Sequence, residues 1–145
     1  MRIVCDTNVL VRAIISPAGP AAELLGVIAR EHSLVTSLYV LDELYDVLRR
    51  PQISRLHGLD IRRVQRVISR FYKLAAVAPL PPDSSLAVSS DPKDNAVVLT
   101  AVLGSADVLC TLDRHLFEPA VVELCAGRQI RVLRDAELLA ELRPR

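Results

Sequence analysis

At 145 residues with a formal net charge of +1, the chain has the size of one domain around one core, and it lacks the broad positive charge of a protein that coats nucleic acid unselectively. Hydrophobic residues make up 51%, yet no uninterrupted apolar run reaches the roughly 18–20 residues needed to cross a bilayer. The three cysteines show no C-x-x-C spacing, which argues against a zinc site and a disulfide framework, and the N-terminus lacks the regions of a signal peptide, so the expectation is a soluble, cytoplasmic chain.

Ile3-Val4-Cys5 reads as a short strand buried on both faces, because apolar residues run together without polar alternation, and it stops at Asp6. In open parallel α/β sheets ligands bind in the crevice outside the carboxyl ends of the strands, which makes Asp6 a site candidate by position. Thr7 or Asn8 is read as the cap of a helix that Val9, Leu10, Ala13 and Ile14 continue; the plainer alternative is that Asp6 itself is only a cap. The breaker cluster at residues 16–20 precedes a helix over 21–30 with Leu24, Leu25 and Ile28 on one face. Leu34-Val35 is a second strand. Thr36 or Ser37 then caps a helix over 38–49, with Leu41, Leu44, Val47 and Leu48 inward and Pro51 marking its end. Glu43 rides on that helix, near enough to the carboxyl edge of the sheet to face Asp6.

The longest helical pattern covers 61–74 and is expected to form a hairpin with its predecessor. A third strand over 75–78 leads into an extended, proline-rich connector over 79–85. Asp91 caps the next helix, with Pro92 and Asp94 in its first turn and Leu103 near its end. Val108-Leu109-Cys110 is a buried strand followed by Thr111-Leu-Asp113, so an acid again ends an apolar run. A last strand over 129–133 and a helix over 135–142 complete the chain. The alternation predicts a three-layer α/β fold with a mainly parallel sheet, one domain over 1–145.

That fold would bring Asp6, Glu43, Asp94 and Asp113 to one crevice. Four carboxylates repel one another unless a cation joins them, and an all-oxygen set suits Mg²⁺ or Mn²⁺ rather than zinc. One or two such ions can activate a water and stabilise charge on a phosphodiester, which is nuclease chemistry. Asn8 and Thr111 either hold these carboxylates by hydrogen bonds or merely satisfy a cap and a strand end. Ser37 is either a donor to phosphate or metal-bound water, or a plain N-cap. Asp107 reads as a structural turn; Lys93, Arg114 and His115 flank the acids as phosphate contacts or ordinary loop residues; His32 and His57 show no partner. The aromatic residues are too few and scattered for a base-stacking platform. Sixteen of the 18 cations are Arg, several of them at Arg49, Arg50, Arg55, Arg62, Arg63, Arg66 and Arg70; solvated helix faces and phosphate contacts both explain them.

The residues carry a family resemblance in four ordered motifs: Asp6-Thr-Asn-Val-Leu10; Ser37 with Leu41-Asp-Glu43-Leu44; Asp91-Pro-Lys-Asp94; and Ala106-Asp-Val-Leu-Cys-Thr111-Leu-Asp113. Together they resemble the PIN-domain family, and within it the VapC-like toxin components of bacterial toxin–antitoxin modules. The resemblance implies a metal-dependent endoribonuclease acting on single-stranded RNA, with Asp6, Glu43, Asp94 and Asp113 around Mg²⁺ or Mn²⁺. It also implies a homodimer and an antitoxin whose peptide covers the active site. In the third motif the family pattern favours Asp94 over Asp91, and Asn95 stands where an acid is often seen. Two rivals remain in view. A phosphotransfer domain would want an acid at Asn8 or after the third strand, where Ala78-Pro79 stand. A catalytically silent PIN-like module binding RNA or protein would have lost one of the four acids, whereas all four positions are filled here.

Overall fold

A computed structural model describes residues 1–79 and 92–144, without the side chains of residues 92–94. Asp91 and residues 80–85 of the proline-rich connector therefore lie outside the described residues, as do the side chains of Lys93 and Asp94.

Among the described residues five strands form one wholly parallel sheet in the order β3-β2-β1-β4-β5: β1 (Arg2–Cys5), β2 (Ser33–Thr36), β3 (Ala76–Val77), β4 (Val108–Cys110) and β5 (Arg131–Leu133). The helices among the described residues are α1 (Thr7–Ile15), α2 (Pro20–Glu31), α3 (Leu38–Leu48), α4 (Pro51–His57), α5 (Ile61–Leu74), α6 (Pro92–Leu103), α7 (Pro119–Ala126) and α8 (Asp135–Leu142). The result is the expected three-layer α/β arrangement. β1 is central because Ile3, Val4 and Cys5 present no polar side chain to either face, and all three are buried. Each strand's carboxyl end points to the same edge, and Asp6, Ser37 and Thr111 directly follow β1, β2 and β4 there.

Helix α6 is fixed at its other end. Arg2 Nε donates to the Gly104 carbonyl (2.8 Å), and Asp107 N donates to the Arg2 carbonyl (2.7 Å). Arg2 N in turn donates to Asp107 Oδ2 (2.7 Å), which gives Asp107 the structural role expected of it. A β-carbon at Gly104 would clash with Val35 Cγ1 and lie 2.8 Å from the Thr100 carbonyl oxygen, so this close approach of α6 to β2 requires glycine. With its last turn held at the start of β1, the first turn of α6, which carries Asp94, lies about 18 Å away by helical rise, toward the carboxyl edge.

The structure departs from expectation at several helix ends. Asp6 is itself the N-cap of α1, which begins at Thr7, so neither Thr7 nor Asn8 takes that role. Pro51 does more than end α3: as the first residue of α4 it occupies a position whose N–H would have no helical partner anyway. His57, which had no partner in sequence, locks the turn after α4: Leu59 N donates to its Nδ1 (2.9 Å), leaving Nε2–H to donate to the Leu48 carbonyl (2.8 Å). The three cysteines are free and buried, as small hydrophobic side chains.

Candidate active site

Asp6 sits where β1 hands over to α1, held from both sides. Its Oδ1 accepts from Thr7 N and its Oδ2 from the Thr111 hydroxyl, both at 2.8 Å, while its own N–H donates to the Cys110 carbonyl at 2.9 Å. The residue is 5% exposed. Burial pushes its carboxyl up to about 6; the Thr111 and Thr7 hydrogen bonds oppose this, and the negative charges of Glu43 and Asp113 add to it. Glu43, on α3, is half-buried and accepts a hydrogen bond from the Thr7 hydroxyl at 3.0 Å. Asp113 follows β4 and caps the 3-10 turn Arg114–Phe117: its Oδ1 accepts from His115 N (2.9 Å), and its N–H donates to Thr111 Oγ1 (3.0 Å). Thr111 thus links two of the acids through one hydroxyl.

Asp6, Glu43 and Asp113 line one cleft of about 390 Å³, together with Thr7, Asn8, Arg12 and Arg50. Val11, Ile15 and Val47 form its apolar wall, so Val47 faces the cleft rather than only the core. Arg12 lies 3.6 Å from the buried carboxylate of Asp135, at the start of α8. Among the described residues Asn8 bonds to no carboxylate; its Oδ1 accepts from Leu112 N (3.3 Å) and ties α1 to the loop carrying Asp113. Ser37 lies away from the cleft lining: it is fully buried, caps α3 by accepting from Val40 N (3.3 Å), and stands 2.8 Å from the Thr100 hydroxyl of α6. His115 pairs with Glu118 (3.1 Å), which raises its pKa above the ordinary histidine value.

Sequence reasoning passed over three residues here. Thr7, read only as a cap, holds Glu43. Arg12 follows Asn8 by four positions and so shares its helix face, a spacing that would have found it. Asp135 follows β5 after one intervening residue, Arg134, and that repeat of an acid after a strand was the available signal.

The donor set is all oxygen, and a buried carboxylate crowded by two further acids is stabilised by a hard divalent cation, so these residues fit Mg²⁺ or Mn²⁺. Among the described residues no three acid, His or Cys side chains lie close enough to hold an ion by themselves. The described acids would by themselves supply only part of a coordination sphere, which for Mg²⁺ commonly includes several waters.

Among the described residues no single helix is long and apolar enough to cross a membrane. No curated protein matches the chain. A family profile for the PIN domain matches residues 2–115, from β1 through the turn after Asp113. PIN domains are typically nucleases that bind RNA and generally use divalent metal ions. This leaves no place for the phosphotransfer alternative, and it leaves β5 and α8, with Asp135, outside the matched span. By that match and its parallel α/β architecture, the chain belongs to the PIN-domain family.

Proposed function

We propose that this protein is a metal-dependent endoribonuclease that hydrolyses phosphodiester bonds in single-stranded RNA, acting as the VapC-like toxin of a bacterial toxin–antitoxin pair. The observation that carries the reading is that Asp6, Glu43 and Asp113, from three separate parts of the chain, line one cleft. Asp94, in the first turn of α6, is the fourth acid of the set. These four would hold Mg²⁺ or Mn²⁺, which when bound activates water and stabilises charge on the phosphodiester. Thr7 and Thr111 orient Glu43 and Asp6, and Thr111 also anchors the backbone of Asp113. Arg12 and Arg50 offer guanidinium donors to phosphate oxygens entering the cleft. Asn8 stiffens the Asp113 loop, and Ser37 sets the start of the helix that carries Glu43. The active form is a cytoplasmic homodimer of single-domain chains over residues 1–145, silenced when an antitoxin peptide covers the cleft.

The test offers purified protein three substrates, single-stranded RNA, duplex RNA and single-stranded DNA, each with Mg²⁺, Mn²⁺ or EDTA. Cutting of single-stranded RNA alone, and only with a divalent ion, is the expected result. RNA binding without cutting under any condition would replace this reading with the silent binding module.

A further inference from the structure

Helix α5 carries Arg62, Arg63, Arg66, Arg70 and Lys73 within 14 residues and has no acid at all. All five are exposed. Spacings of three and four stack like charges along one surface, which destabilises an isolated helix. Arg62 and Arg63 also stand in the first turn, where the helix dipole disfavours cations. Elsewhere some exposed arginines find carboxylates, Arg49 with Asp46 (3.1 Å), Arg131 with Glu141 (2.9 Å) and Arg143 with Glu23 (3.0 Å), while others such as Arg30 and Arg128 stand singly rather than stacked along one helix. Among the described residues none of the five α5 cations forms an ion pair. Asp60 caps the first turn, but among the described residues no carboxylate pairs with these cations, and an external anion would relieve their repulsion.

The location says which anion. Arg63, Arg66, Arg70 and Lys73, with Ser69, wall a groove of about 430 Å³. β3 is parallel to β2 and follows α5 directly, so α5 ends at the edge where the strands begin, and its first turn lies some 21 Å away, toward the carboxyl edge that carries the acids. Arg50 already lines the acidic cleft and is the N-cap of α4, the element that leads into α5. Cations therefore stand at the cleft (Arg50), on α4 (Arg55) and along α5, on elements that follow one another in the chain. Four of the five on α5 are Arg, whose planar fork matches phosphate, and the groove offers only Leu59 and Val67 as apolar contacts, too little for the buried anchors that protein partners use.

We infer that α5 is a phosphate-tracking ridge along which the backbone of a single-stranded RNA runs after leaving the acidic cleft. This rests on the ribonuclease reading above, and the experiment separates the two. The triple variant Arg62→Gln, Arg66→Gln, Arg70→Gln is compared with wild type and with Arg30→Gln, Arg128→Gln, Arg143→Gln, which removes equal charge elsewhere. Binding of a labelled single-stranded RNA is followed in EDTA between 50 and 200 mM salt, and Mn²⁺-dependent cleavage is measured on a trinucleotide and on a long RNA. The ridge predicts a slope of log affinity against log salt shallower by about 2 units in the α5 variant, at roughly 0.7 per phosphate contact, so that wild type loses about 20-fold more affinity across that range. It also predicts a raised KM on long RNA with unchanged cleavage of the trinucleotide. An unchanged slope, or an equal change in the control variant, overturns the ridge, as does loss of polyglutamate binding with RNA binding intact, which would make the face an acidic-protein site. Wild type that cuts neither substrate overturns the ribonuclease reading, while the binding slopes still decide the ridge.

Discussion

Asp6→Asn keeps the shape of the side chain and removes its charge, and it should stabilise the metal-free protein at neutral pH while disabling the site. In the folded chain the Asp6 carboxyl is raised from 3.8 to about 6, first by burial and then by Glu43 and Asp113. The native state therefore holds a proton that the unfolded chain releases between pH 4 and pH 6, so stability falls as pH rises through that window and stays low above it. At 1.36 kcal/mol per pH unit the loss is about 3 kcal/mol. Asparagine escapes this loss but gives up the Thr111 hydroxyl's acceptor, a bond of about 1 kcal/mol, since its amide must turn one N–H₂ toward Thr111. The net gain expected for Asp6→Asn is about 2 kcal/mol at pH 7.5 in EDTA, or roughly 4–8 °C in Tm for a chain of this size. Thermal denaturation followed by circular dichroism measures it. Lowering the pH to 4 should remove most of the gain and leave the variant slightly less stable than wild type, by the Thr111 bond it lacks. Adding Mn²⁺ should raise the wild-type Tm and leave the variant behind, because an ion that binds only the native site stabilises by about 2.7 kcal/mol at a hundredfold excess over its Kd. A variant less stable than wild type in EDTA, by the same amount at every pH, would refute the reasoning.

Two further predictions concern the scaffold. Gly104→Ala drives a methyl group against Val35 and the Thr100 carbonyl, and should lower stability in urea denaturation by about 1–3 kcal/mol; an unchanged midpoint would show that α6 can move off β2 at no cost. Thr36→Val should raise stability by about 1–2 kcal/mol, because the buried Thr36 hydroxyl has no hydrogen-bond partner among the described residues; a fall would reveal a partner for it in the segment between β3 and α6.

The strongest sequence signals were those with a local cause. The apolar run at β1 and the three-and-four spacing of α5 read directly into elements, because each depends only on neighbours along the chain. Helix α4 escaped notice because it has no buried residue and hence no apolar stripe, and because a proline that opens a helix looks the same in sequence as one that closes its predecessor. Asp6 reads as a cap or as a site, and the structure makes it the cap of α1 and a cleft-lining acid at once. The candidate site was legible in its acids and, among their supports, in Thr111, which was read as holding a carboxylate but not as meeting Asp6 in particular. Thr7 meets Glu43 across 36 positions, Thr111 meets Asp6 across 105, and Arg12 meets Asp135 through α8; none of these pairings leaves a periodic trace. Arg12 and Arg50 are visible only once α1 and the start of α4 are folded against the same cleft.

Cleavage of single-stranded RNA by wild type and by Asp6→Asn, purified identically and assayed with Mn²⁺, bears most directly on whether this cleft is the catalytic centre. Asp6 is the buried acid held by both Thr7 and Thr111 in the cleft that Glu43 and Asp113 also line, so wild type should cut and a folded Asp6→Asn should not. Cutting by the folded variant at the wild-type rate would place the activity elsewhere and return Asp6 to a capping role.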